Sequence, residues 1–138
     1  MTLANLKEVE ALAIQLTACA NSIHDRLMIG IKNKDVNQYE AQLILHDATR
    51  LRQHANCLYL DAANCVVDGL PESENDILDV IISATDNIKT IKTTANFINI
   101  IADLLALASA AYAAKPGPII ASIKEVRDDV IALNNGEW

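Results

Sequence analysis

Residues 88–118 read IKTIKTTANFINIIADLLALASAAYAAKPGP, and how this stretch is folded decides the architecture. From Phe97 to Ala114 only Asn99, Asp103 and Ser109 interrupt Phe97, Ile98, Ile100, Ile101, Leu104, Leu105, Leu107 and a run of alanines. A helix apolar on nearly every side has to be covered on nearly every side. Just before it, Thr90, Ile91, Thr93, Thr94 and Asn96 are β-branched or polar residues of low helix propensity. Residues 93–96 are therefore where a long helix would break. Downstream, Pro116, Gly117 and Pro118 force a turn.

The rest of the chain carries the same helical signature. The composition is 51% hydrophobic and 21% charged, which excludes disorder, and with 4% aromatics the core has to be built from Leu, Ile, Val and Ala. Apolar residues recur at alternating three- and four-residue steps in four segments. The first runs from about Leu3 to Ile29 through Leu6, Val9, Ala13, Leu16, Ala20, Ile23 and Leu27, with Gly30 and Lys32 as its end signals. The second runs from Asn37 to Asp68, its seam Ala41, Ile44, Ala48, Leu51, Ala55, Leu58, Ala62 and Cys65. Alanine at every seventh place lets a neighbouring helix approach closely.

The third segment begins at Ser73, suited to be an N-cap, and passes through Ile77, Ile81, Ala84, Ile88, Ile91, Ala95, Ile98, Ala102, Leu105, Ser109 and Tyr112. The fourth spans Ile119 to Leu133. The reading is an all-α antiparallel bundle of about four long helices, one domain over residues 1–138, with the third helix the longest.

At 1.5 Å per residue the four helices would span about 40, 48, 64 and 23 Å, so an unbroken third helix overshoots the second by about ten residues. Two outcomes follow. Either the third helix breaks and its apolar end folds back into the bundle, or something outside the chain covers that end. On the second outcome Ile98, Leu105 and Tyr112 face the fourth segment. That leaves a stripe of Phe97, Ile101, Leu104, Ala108 and Ala111 for a second copy of the chain, as a homo-oligomer, or for another protein partner.

Charge points to a partner at a different place. The net charge is −7, and residues 61–86 hold Asp61, Asp68, Glu72, Glu74, Asp76, Asp79 and Asp86 with no Lys or Arg. Acids at the start of a helix are favourable, but seven together at one end repel, and a basic protein partner would relieve them. An acidic chain with no basic stripe is not built for nucleic acid.

The amphipathic, charged beginning is unlike a signal peptide, and Cys19, Cys57 and Cys65 form no CxxC pair, which suggests a cytoplasmic protein with reduced thiols. The 18 or so apolar residues from Phe97 could alternatively seek a membrane, although Asp103 in their middle and the charged fourth segment oppose insertion.

Signals for chemistry are few. His46, Arg50 and His54 line one helix face without a converging ligand set. The pair His46-Asp47 resembles the motif of the all-helical HD phosphohydrolases, in which adjacent His and Asp share a metal. That resemblance implies His24 and Asp103 as the outer members of a metal-binding set. No glycine-rich loop precedes a helix, and Ser22, Ser83 and Ser122 have no evident base, so neither cofactor nor nucleophilic apparatus is expected. The sequence reading is thus a non-catalytic protein-binding bundle, an adaptor, secretion chaperone or toxin-neutralising immunity protein. A membrane-active helical protein is the alternative, and an HD-like hydrolase the third.

Overall fold

The third segment breaks. In the computed structural model, which describes Leu3, residues 5–67 and residues 74–134 (the side chains of 74–76 and 134 excepted), five α-helices replace the expected four. They are α1 (Leu6–Lys32), α2 (Gln38–Leu60), α3 (Glu74–Thr90), α4 (Thr94–Ala113) and α5 (Pro116–Asn134). A 3₁₀ turn, Ala62–Cys65, follows α2, and no strand occurs among the described residues. The expected N-cap Ser73 and the closing Gly69-Leu70-Pro71 lie outside the described residues.

Local chemistry explains most of the boundaries. At the start of α2, Asn37 and Glu40 form a reciprocal capping box: Oδ1 of Asn37 accepts from the Glu40 amide at 2.8 Å, and Glu40 accepts from the Asn37 amide at 3.0 Å. Helix α1 does not stop at Gly30. It runs two residues further and closes in a Schellman turn, with the Asp35 amide donating to the Gly30 carbonyl at 2.8 Å and Lys34 at φ 62° in the left-handed position. Helix α5 starts three residues earlier than expected, because Pro116 and Pro118 fall in its first turn, where no intrahelical amide donor is required. Helix α2 ends eight residues earlier than expected, yet the 3₁₀ turn keeps the periodic Ala62 and Cys65 buried.

The helices close into a ring. Helix α1 packs against α2 and α3, α2 against α4, α4 against α5, and α5 back against α3. Directions follow from the bonds between them. Arg52 of α2 donates to Asn21 of α1, as an antiparallel pair allows. Arg26, late in α1, donates to the Ile91 carbonyl just past α3, so α1 and α3 run parallel. Tyr112, late in α4, donates to Asp61, which caps the end of α2, so those two run parallel as well. The chain therefore alternates in direction from helix to helix, but α2 and α3 are separated by α1, and α3 and α4 are not close neighbours. The 3₁₀ turn sits against α1, α2 and α4 at one end, where the Val67 amide donates to the Leu3 carbonyl at 2.7 Å.

One contiguous core fills the ring. It takes in Val9, Leu16, Ile23, Leu51, Leu58, Ile81 and Ile88 on the expected seams, together with Ala48, Ala55 and Ala62 of the alanine column.

Candidate functional site

The apolar stripe is where the structure corrects the sequence reading. Phe97, Ile101, Leu104, Ala108 and Ala111 are all buried inside the chain's own ring, Leu104 completely. The residues expected to face α5 are the less covered ones. Leu105 lies at the edge of the core, and Tyr112 is 41% exposed. Tyr112 turns toward the end of α2 rather than toward α5, its hydroxyl donating to Asp61 at 2.7 Å. The break at Ile91–Thr93 lets α4 turn its fully apolar side inward, where α2 and α5 flank it. The stripe accordingly needs no second polypeptide, and the expectation of a homo-oligomer loses the surface on which it rested.

The acidic end is only partly inside the described region. Asp68 and Glu72 lie outside it, as do the side chains of Glu74 and Asp76. Because α2 ends and α3 begins at the same end of the ring, Asp61 and the first turn of α3 do share that end. Asp79 is exposed one turn further on. Asp86 does not belong with them: it is four residues from the end of α3 and pairs with Lys89 at 3.8 Å across an exposed surface.

A small cluster sits beside Asp61. The Cys65 thiol approaches the Tyr112 carbonyl at 3.5 Å. Burial and the nearby Asp61 charge push that thiol up, and the Asp61 hydrogen bond and charge push the Tyr112 hydroxyl up. Both groups are held in their neutral, unreactive forms, so the cluster docks α4 on α2 rather than activating a nucleophile. Cys19 is more strongly suppressed, raised to about 11 by burial in spite of a hydrogen bond with Thr85. Cys57 is exposed, and all three cysteines are free.

The residues of the HD-like motif are not assembled. His46 is exposed on α2, and no three His, Cys, Asp or Glu side chains among the described residues gather closely enough to hold a metal. Two of the open grooves lie at helix seams. One follows the α1–α2 seam, where Ile14 and Tyr59 flank a pocket of about 180 Å³ floored by Ala13 and Ala55. The other, about 320 Å³, lies between Asn87, Thr90, Thr93 and Asn96 where the break meets Leu133 of α5. Sequence reasoning named neither, and the second depends on α3 and α5 being neighbours. No protein-family model, curated protein or solved structure matches the chain.

Proposed function

We propose that the chain is a non-catalytic, cytoplasmic protein-binding bundle, of the adaptor, secretion-chaperone or immunity-protein kind, that takes a basic protein at its acidic end. One observation carries this reading: residues 61–79 concentrate six carboxylates with no cation. Asp61 and the start of α3 gather part of that charge at a single end of the ring. Like charges held together cost stability, and a complementary basic surface converts the cost into attraction and fast association.

The test compares wild type with a variant carrying Asp61→Asn, Asp68→Asn, Glu72→Gln and Asp79→Asn. Both are immobilised and exposed to extract of the source cells. A protein retained by wild type, eluted by moderate salt and lost from the variant supports the reading. Identical retention and identical salt response on both surfaces overturn it.

A second reading rests on α4, which at 20 residues and a mean hydropathy of 1.5 is long and apolar enough to cross a membrane, although half of it is buried. On that reading the ring opens and α4 inserts. Release of dye from anionic vesicles on addition of the folded protein supports it, and intact vesicles at saturating protein exclude it.

A further inference from the structure

Asp129 lies on α5, and its Oδ2 is buried without a hydrogen-bond partner. Across the helix interface Asp103, the one charged residue of α4, meets it side chain to side chain. An ionised carboxylate can only accept hydrogen bonds, so two of them in contact have nothing to share, and a buried acceptor with no donor is costly. A proton on Asp129 removes both problems at once. Oδ2 becomes a donor, and the Asp103 carboxylate becomes its acceptor.

The surroundings favour that proton. Glu125 and Asp128 on α5 add negative charge near Asp129. Lys124 on the same helix is exposed, and Arg127 is half-buried. Helix α3, the other neighbour of α5, lines the groove beside Leu133 with the uncharged Asn87 and Thr90, while its Asp79, Asp86 and Lys89 are exposed. Burial first, then Asp103, then Glu125 and Asp128 raise the Asp129 carboxyl to about 8.

We propose that Asp129 and Asp103 form a one-proton latch between α4 and α5, closed while Asp129 carries the proton and released when the proton leaves to solvent. The sign follows from the two states. The unfolded chain gives up this proton near 3.8 and the folded chain near 8, so folding takes up a proton between those values. The latch stabilises the fold fully below the lower value, loses effect as pH rises through the window, and changes nothing further above it.

Asp129→Asn replaces the hydroxyl donor by an amide donor that cannot be lost. In chemical unfolding from pH 5 to pH 9, the folding constant of the variant relative to wild type should rise with pH. The rise should be up to about tenfold per unit, less where solvent reaches the half-exposed pair, and should level off above the window. Amide exchange, corrected for its intrinsic pH dependence, should show the ratio of α5 opening in wild type to that in the variant larger at pH 9 than at pH 6. Carboxyl-carbon magnetic resonance of wild type reads the proton directly and needs no variant: one aspartate should titrate near neutral or mildly alkaline pH. Parallel stability curves, equal α5 exchange ratios at both pH values, or wild-type aspartates that all titrate in the ordinary carboxylate range overturn the latch.

Discussion

The guanidinium of Arg26 donates two hydrogen bonds to the carbonyl oxygen of Ile91, from Nε at 2.9 Å and from Nη2 at 2.6 Å. Ile91 is the first residue past α3, where backbone carbonyls have no intrahelical donor and the helix dipole is negative. A cation from α1 thus closes α3. Beside it, Thr94 of α4 donates to the Asp35 carbonyl in the turn after α1, at 3.3 Å. The break between α3 and α4 is held from both sides by the first third of the chain.

Removing that cation should weaken the whole ring. Arg26→Met retains the aliphatic stem and leaves the Ile91 carbonyl without its charged donor, costing about 1.5–3 kcal/mol. Urea unfolding measures it. A loss below about 0.5 kcal/mol would mean that water caps the break equally well.

Leu104 distinguishes a buried stripe from an interface. With its side chain wholly buried, Leu104→Asp should abolish the helical circular dichroism signal at 25 °C rather than yield a folded, dissociated monomer. Sedimentation beside dichroism reads the result, and a folded mutant of lower mass would return the stripe to an intermolecular role.

The alanine column limits how closely α1 and α2 pack. Ala48 and Ala55 are both buried, Ala55 opposite Ala13 at the floor of the α1–α2 groove. Ala48→Leu or Ala55→Leu should each lower the unfolding free energy by about 1–3 kcal/mol through overpacking. Silent substitution at both would show that the groove can widen freely.

Gly30 stands inside α1, where a Cβ would meet Arg26 and Val36 at 3.6 Å, ordinary contact distance. Gly30→Ala should therefore stabilise, by about 0.5–1 kcal/mol of helix propensity. Ala114 is the reverse case: its left-handed φ of 55° at the end of α4 suits glycine, and Ala114→Gly should raise the melting temperature. Calorimetry of the two variants checks both signs.

Thiol labelling separates the cysteines. In the folded protein at pH 8 a chromogenic disulfide should react rapidly with the exposed Cys57 alone, and Cys19 should react only at the rate of unfolding. Two or three fast equivalents would mean that the core opens without global unfolding.

Most inward residues of α1 and α2 were legible because alternating three- and four-residue steps name the covered face, although Leu6, expected on that face, is 47% exposed. In α4 that logic fails. Ile98, Leu105 and Tyr112 keep the seam spacing of the preceding segment, but the break at Ile91–Thr93 resets the phase, and a helix apolar on two sides does not declare which one is inside. The weak helix formers at 90–96 did mark the region of the break, though not that Arg26 and Asp35, some sixty residues earlier, hold it.

The ring order was hidden for a related reason. Short connections argue for adjacent neighbours, and nothing local reveals that α1 comes between α2 and α3. The facing of Asp103 and Asp129 was equally invisible, since residues on two helices carry no common spacing. Read alone, Asp103 was a charge interrupting an apolar run.

The order in which the ring closes has a consequence for synthesis on the ribosome. Helices α1 and α2 can pair as soon as both have emerged, and α3 can join α1 without waiting for the rest. Helix α4 then arrives with Phe97, Ile101 and Leu104 facing a trough that stays open until α5, the next helix made, reaches α3. For that interval the most apolar segment of the protein is exposed in the nascent chain. A translation pause or premature stop after Ala114 would leave an aggregation-prone product, so the nineteen-residue α5 serves as the lid of the assembly.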